Sequence, residues 1–242
     1  MINHLIKNLK IDLRYKWLWI NYFIGTFFML ASYIFISNPT DQVNVLKGML
    51  CWYGINQCFF GVAGFMVEER IEGTFENLFV YPIKISEYIF AKGLQVMIET
   101  FGICVFQIIM FSFFDIKIND LAVFLLILIV NNLIAFNMSC VFLVISIKYK
   151  RLGSVNYIIQ QLLGTLSGYS VDIKKYPKLI AMLSYIIPIT YTIQASRESF
   201  SLISMILVFI GFLLSMILIT ICFPKILNSI KILRKKGEIN QW

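Results

Sequence analysis

Long apolar runs separated by short polar segments dominate the chain. A helix needs about 20 predominantly apolar residues to cross a bilayer, and several of these runs reach or pass that length. Trp17, Trp19 and Tyr22 stand at the start of the first run, as expected of an aromatic belt at a membrane interface. We predict six spanning helices, at residues 17–36, 45–67, 88–114, 121–147, 152–171 and 200–223.

The first sixteen residues predict an interfacial helix. Apolar residues follow helical spacing, while polar and basic residues occupy another face, so the helix would lie along the membrane surface. The apolar set is Ile2, Leu5, Ile6, Leu9 and Leu13, and the polar set is Asn3, Lys7, Lys10 and Arg14. The alternative is a disordered basic leader.

One further apolar run, residues 179–195, is at the lower length limit for a span and is interrupted by Pro188. With six spans, most of the 21 basic residues fall on one side of the membrane, including the leader and the 224–242 tail. A seventh span would separate leader from tail, which the positive-inside rule disfavours. We therefore interpret residues 172–198 as a re-entrant hairpin from the outer side, with both termini in the cytoplasm.

An acidic segment separates the second and third spans. Five of the thirteen acidic residues lie between positions 68 and 87. Gly73 would break the helix that leaves the membrane, Thr74 can cap a new short helix, and Pro82 would end it. If the segment is helical, its acidic stripe and its apolar stripe suit docking on another protein; a solvated loop is the alternative. The acidic stripe is Glu69, Glu72 and Glu76, and the apolar stripe is Ile71, Phe75 and Leu78.

Composition supports a polytopic membrane protein and excludes several other classes. The chain is 59% hydrophobic and 14% charged, and its mean hydropathy is +0.80. The net charge of +8 follows from basic residues at segment ends, so we expect no nucleic-acid partner. The five cysteines lie in or beside apolar segments without a C-x-x-C pair, and His4 stands alone, so we expect neither a metal site nor catalytic residues.

Polar residues inside the predicted spans are candidates for a translocation path. Glu99 lies roughly 18 Å along the third span at about 1.5 Å per residue, and a carboxylate at that depth should face the bundle interior or be protonated. We name Glu99, Gln95, Asn131 and Gln160 as path candidates. The alternative is structural, because buried amides commonly hold membrane helices together.

Two groups of residues resemble the permeases of ABC-2 type transporters. The stretch "EERIEGTFENLFVYPI", residues 68–83, resembles that family's Glu-x-x-x-Gly-Thr-Leu-Glu-x-Leu-x-x-x-Pro segment, with Phe75 in place of the common Leu. Downstream, Ser167-Gly168, Tyr176-Pro177, "SYIIPITY" at 184–191 and Arg197 resemble the outer hairpin before the family's last helix. The basic tail fits as well, so the resemblance covers nearly the whole chain.

The resemblance implies export or flipping driven by a separate ABC ATPase. That ATPase would carry ATP and Mg, because this sequence has no Gly-x-x-x-x-Gly-Lys-Ser/Thr motif and we expect no cofactor in the chain itself. The segment after the second span would be the ATPase-coupling helix. Its coupling residues would be Glu68, Glu69, Arg70, Glu72, Gly73, Thr74, Phe75, Glu76, Leu78 and Pro82.

The resemblance also implies a second permease subunit, in a homodimer or heterodimer, contacted through the first and fifth helices. We expect Gly25, Gly164 and Gly168 at that interface, although packing within one subunit is an equal alternative. Pro177, Pro188 and Tyr191 would shape an outer gate. The cargo would be a hydrophobic drug, an antimicrobial peptide or a lipid-like molecule; a polysaccharide or teichoic-acid permease and a non-transporting scaffold are the alternatives.

Together these inferences predict one all-α transmembrane domain over residues 1–242 of a multi-pass protein of the bacterial plasma membrane, surrounded by membrane lipids. Its parts would be an interfacial helix at 1–16, spans one to five within 17–171, the outer re-entrant hairpin at 172–198, the sixth span at 200–223 and a basic cytoplasmic tail at 224–242.

Overall fold

A computed structural model describes residues 14–65, 85–148, 153–198 and 201–236, together with residues 6 and 10. Within those ranges the chain is helical and contains no strand. Most of the predicted interfacial helix, residues 66–84 after the second span and the last six residues lie outside the described residues.

Eight α-helices follow one another along the described chain. They are α1 (Lys16–Ile36), α2 (Gln42–Cys58), α3 (Ile85–Ser112), α4 (Leu121–Lys148), α5 (Gly153–Ser167), α6 (Lys178–Ser184), α7 (Pro188–Arg197) and α8 (Leu202–Lys236). A π-helical turn, Phe59–Ala63, continues α2, and a 3-10 turn, Ile173–Lys175, precedes α6.

Four of these helices are long and apolar enough to cross a membrane, within α1, α3, α4 and α8. The short helices α6 and α7 are bent by 104° at their junction and would count as a fifth crossing if they formed one broken span. The described parts of α2 and α5 have 17 and 15 residues and do not meet the same criterion alone. Length and composition therefore support an integral membrane helical protein with four of the six predicted crossings. The possible fifth crossing is the α6–α7 pair, which we predicted to be a re-entrant hairpin.

The helices pack around α4, which contacts α2, α3, α7 and α8. The most apolar stretches of α1 and α8 are the least enclosed, because only 22% and 17% of those residues are buried inside the protein. By contrast α2 supplies much of the core, including the fully enclosed Trp52, Leu46 and Met49. A helix surrounded by protein needs less hydrophobic surface than one facing lipid, which explains the lower apolar content of α2.

Turn chemistry sets several of the helix ends. The short polar segment 115–120, between the predicted third and fourth spans, forms a turn in which both Asp115 and Asp120 adopt positive φ, with Asp120 directly before α4. Gly168, at φ +78°, ends α5 in the left-handed conformation that favours glycine. Pro188 occupies the first turn of α7, where its missing N–H costs least.

The last helix is longer than predicted. We expected the sixth span to end at residue 223, but α8 continues through Pro224 to Lys236. A proline inside a helix removes one backbone hydrogen bond, and membrane helices tolerate it where neighbouring groups satisfy the freed carbonyl.

Candidate functional site

The acidic segment predicted to couple to an ATPase lies outside the described residues. The structure therefore gives no position for Glu68, Glu69, Arg70, Glu72, Gly73, Thr74, Phe75, Glu76, Leu78 or Pro82. The described ends that flank it are the π-helical turn after α2 and the start of α3.

Glu99 lies beside a small cavity between α1, α2 and α3. The cavity has a volume of about 160 Å³ and combines aromatic, polar and charged walls. Its lining residues are Trp19, Tyr22, Gln57, Phe60, Gly61, Lys92, Val96, Glu99, Thr100 and Ile103. The predicted carboxylate in the third span thus faces the bundle interior, as expected because exposing a carboxylate to lipid costs free energy.

The predicted path residue Gln95 lies one turn before Glu99 on α3. Its Nε2 donates to Glu99 Oε1 at 2.9 Å, so the two residues act as one polar unit. On the opposite wall, Gln57 Nε2 donates to the Tyr53 hydroxyl oxygen at 2.6 Å. The cavity therefore has hydrogen-bonding groups on both α2 and α3.

The π-helical turn forms part of this cavity through Phe60 and Gly61. Such turns insert a residue into an α-helix and frequently occur at functional positions. Gly61 also allows α2 and α3 to approach closely, because a Cβ there would lie 2.5 Å from Val96 Cγ2. The hydrophobic pattern alone did not predict this turn, because its residues are apolar like their neighbours.

Asn131 and Gln160 do not line the Glu99 cavity. Asn131 is fully buried where three helices meet: its Nδ2 donates to the Cys51 carbonyl of α2 at 2.9 Å, and its Oδ1 accepts from Thr192 Oγ1 of α7 at 2.7 Å. This geometry matches the structural alternative, in which an amide holds helices together. Gln160 is buried in α5, with 2% of its surface exposed. A role for either residue in transport stays a prediction.

Two further amides connect helix pairs. Gln107 Nε2 of α3 donates to the Phe23 carbonyl of α1 at 3.0 Å, and Asn137 Nδ2 of α4 donates to Ser215 Oγ of α8 at 3.1 Å. Such bonds are worth about 0.6–2 kcal/mol each in membrane helices. The sequence could not assign the partner of either amide, because each partner lies on another helix.

The predicted gate residues lie on the bent helix pair. Pro188 is buried at the start of α7, whereas Pro177 is exposed directly before α6. The Tyr191 hydroxyl donates to the Tyr185 carbonyl at 2.8 Å, across the break between the helices. The Tyr191 bond therefore bridges the bend, as does the buried bond from Thr190 Oγ1 to the Ser184 carbonyl at 2.7 Å. The helix α7 packs against α2, α4 and α8.

Arg197 ties three parts of the chain together at the end of the bundle where α7 ends. Its Nη2 donates to the Tyr169 carbonyl at 2.7 Å, and its Nε donates to the Asn44 carbonyl at 3.3 Å. Gly48 makes room for this contact, because a Cβ there would lie 2.7 Å from Arg197 Nη2. In the sequence Arg197 appears only as part of the family motif. The signal for its connecting role is its position as a lone arginine directly after an apolar hairpin.

Weaker interactions reinforce the Arg197 contacts. Lys175 Nζ lies 3.6 Å from Asp41 Oδ2, and Lys174 Nζ lies 3.9 Å from Glu198 Oε1. Both pairs are partly exposed and so contribute little individually. The Tyr176 hydroxyl donates to the Thr165 carbonyl at 2.6 Å, and burial raises the pKa of Tyr176 above its ordinary value.

The three glycines predicted at a dimer interface have different surroundings. Gly164 faces its own chain, because a Cβ there would lie 2.6 Å from Trp52 Cζ2. Gly168 forms the turn after α5, where a Cβ would lie 2.6 Å from Ile173 Cγ1. Gly25 is exposed, with Asn21 Oδ1 as the nearest atom a Cβ would meet, at 3.7 Å. Gly164 therefore packs within its own subunit, as the alternative interpretation expected. A role in dimerisation stays a prediction for all three glycines.

Among the described residues there is no group of three or more His, Cys, Asp or Glu side chains that could hold a metal ion.

Comparison with known proteins places this helical architecture in a family. A model of the ABC-2 type transporter family matches residues 5–201, which is most of the chain and extends from the leader through the bent helix pair. Searches of curated proteins and of solved structures found no match. Membership implies a membrane-spanning permease subunit that associates with an ABC ATPase. The chain belongs to the ABC-2 type transporter family.

Proposed function

We propose that this chain is the permease subunit of an ATP-driven exporter that moves a hydrophobic drug, an antimicrobial peptide or a lipid-like molecule out of the cytoplasm or inner leaflet. The observation that carries the proposal is the family match over residues 5–201, combined with four helices that are long and apolar enough to cross a membrane. Export and the class of cargo are expectations from the resemblance. A second permease subunit would complete the translocation path.

We further propose six crossings, with α2 and α5 as the second and fifth spans. Residues 66–84 would extend beyond α2 and return to α3 on the cytoplasmic side, and the α6–α7 pair would be a re-entrant hairpin on the outer side of a bacterial plasma membrane. Single cysteines at Asn119 and at Lys148 test this topology with a membrane-impermeant maleimide. Labelling of Asn119→Cys from outside, with labelling of Lys148→Cys only after permeabilisation, is the expected result.

Coupling to the ATPase would occur through the acidic segment. Phe75 and Leu78 would insert into an apolar cleft of the ATPase, and the neighbouring carboxylates would pair with its basic residues. Because a buried charge without a partner is costly, Phe75→Asp should abolish ATPase association. The matched control is Phe113→Asp, since Phe113 lies beyond the opposite end of α3 and is 77% exposed.

The experiment is gentle extraction from the native membrane, followed by identification of copurifying proteins. A stoichiometric ABC ATPase that is lost in Phe75→Asp and kept in Phe113→Asp is expected. ATP-dependent movement of a hydrophobic fluorescent cargo in reconstituted vesicles then tests transport. An ATPase that still assembles and turns over with Phe75→Asp would overturn the coupling role, and assembly without any cargo movement would favour a scaffold.

A further inference from the structure

A polar cavity lies at the Arg197 end of the bundle, between the N-termini of α2 and α4 and the C-terminus of α7. It has a volume of about 380 Å³. Its lining includes three basic side chains, Lys47, Lys117 and Arg197, and two acidic side chains, Asp120 and Glu198. The cavity is therefore a highly charged pocket directly beside a membrane span.

The cavity carries a net positive charge, because three basic side chains line it against two acidic ones, and Asp120 offsets part of the charge of Lys47. Glu198 is already 3.9 Å from Lys174, which does not line the cavity. The bridge from Lys117 to Asp115, at 3.6 Å, joins two side chains that are 71% and 95% exposed, so it holds Lys117 only weakly. In Arg197, Nη1 is buried and has no hydrogen-bond acceptor among the described residues. Guanidinium and ammonium donors of this kind recognise phosphate oxygens.

An apolar groove continues directly from this cavity. The groove, about 530 Å³ in volume, runs between α4 and α8, and it shares Val123 and Ile127 with the polar cavity. Its other walls are Leu126, Val130, Leu133, Ser204, Met205, Val208, Phe209 and Phe212. Charged and apolar compartments thus meet along one turn of α4.

The length of the groove matches one leaflet. From Val123 to Leu133 the helix rises about 15 Å at roughly 1.5 Å per residue, which is half of a hydrocarbon core of about 30 Å. Because α4 is long and apolar enough to span the membrane, its first residues lie at the bilayer surface and Leu133 lies near the middle. A polar compartment at headgroup depth above an apolar groove one leaflet deep has the shape of a single phospholipid.

We propose that the chain binds one anionic phospholipid of the surrounding bilayer, with its phosphate among Lys47, Lys117 and Arg197 and one acyl chain in the α4–α8 groove. This inference requires only that α4 crosses the bilayer, and it does not depend on export, cargo or the ATPase. The lipid would join α2, α4, α7 and α8 at their common end.

The proposal is tested by native mass spectrometry of the full chain, with any subunit that copurifies, in detergent with added phosphatidylglycerol. The expected result is one retained adduct. Diacylglycerol with the same chains should bind at least about tenfold more weakly, because it lacks the phosphate that the charged donors would hold. Millimolar inorganic phosphate should not displace the lipid.

Variants then locate the lipid. The double variant Lys47→Gln with Lys117→Gln should lower lipid occupancy about tenfold. The control Lys178→Gln, which changes an exposed lysine outside both cavities, should not lower it.

A second pair of variants tests the groove. Leu126→Trp fills the groove from its exposed side and should lower occupancy, whereas the control Ile109→Trp on α3 should not. Folding is checked by circular dichroism and gel filtration, and because Leu126 is 64% exposed its variant tests the groove even if the lysine pair misfolds.

Three outcomes would overturn the proposal. Equal binding of diacylglycerol would mean that the phosphate is not recognised, and displacement by inorganic phosphate would mean a simple anion site. Equal loss in the paired controls would mean that the lipid binds elsewhere on the apolar surface.

Discussion

Thr192 donates a hydrogen bond from its hydroxyl to Asn131 Oδ1 at 2.7 Å, joining two helices whose residues are 61 positions apart in the chain. Asn131 also donates to the Cys51 carbonyl, so this one amide connects α2, α4 and α7. All of its polar atoms are enclosed, since the exposed fraction of Asn131 is 0%. The bent helix pair is thereby anchored to the centre of the bundle.

Replacing Asn131 by Leu should destabilise the bundle by about 1–3 kcal/mol, because two interhelical hydrogen bonds are lost while the side-chain volume is kept. Thr192→Val should cost only about 0.5–1 kcal/mol, since Thr192 also bonds within its own helix, to Ile189. Unfolding in mixed micelles measures both values. The double variant should lose less free energy of unfolding than the two single variants lose together, because both single variants remove the same hydrogen bond. The control is Thr165→Val, which should be near neutral because the exposed Thr165 hydroxyl bonds only to its own helix.

Gly48 is required by the contact between Arg197 and Tyr169. A methyl group at position 48 would overlap the Tyr169 carbonyl oxygen and lie 2.7 Å from Arg197 Nη2. We expect Gly48→Ala to lower the free energy of unfolding by about 1–3 kcal/mol, as overpacking typically does. Gly102→Ala is the matched control, because a Cβ there meets nothing within 4 Å. The control should be neutral or stabilising by up to about 1 kcal/mol, and equal loss in both variants would contradict the close approach.

Gly164 and Gly25 should respond differently to a larger side chain. Gly164→Ala pushes a methyl group against the Trp52 ring and should lower stability by about 1–3 kcal/mol in any oligomeric state. Gly25→Leu places its side chain on an exposed face, so it should leave stability unchanged and weaken association with a second permease subunit. Unfolding measurements combined with crosslinking in membranes separate the two effects. Unaltered crosslinking of Gly25→Leu would remove this face from the proposed interface.

The charge of Glu99 can be separated from its hydrogen bond. Glu99→Gln keeps an oxygen that accepts from Gln95, so we expect unchanged thermal stability. If the carboxylate handles cargo, ATP-dependent transport in vesicles should fall roughly tenfold, equivalent to about 1.4 kcal/mol of barrier. Normal transport with Glu99→Gln, together with instability of Glu99→Leu, would assign Glu99 a purely structural role.

The polar residues show where sequence reasoning was sufficient and where it was not. A half-buried carboxylate next to an amide one helical turn away can be predicted from spacing, and Gln95 does contact Glu99. The junction at Asn131 could not be predicted, because both of its partners lie on other helices. The same holds for Arg197, which reaches carbonyl groups 153 and 28 positions away.

By itself the sequence determined the apolar helices, the polar turn at 115–120 and the break at Pro188, because partition into a bilayer and backbone restrictions are local properties of a segment. Only the tertiary structure decided that Gly164 meets Trp52, that Arg197 ties α7 to α2, and that a charged cavity opens onto the α4–α8 groove. Lipid is as apolar as a helix surface, so hydropathy carries no information about which faces meet. Close packing and the need to satisfy buried polar groups select the partners, and both arise only when the helices assemble.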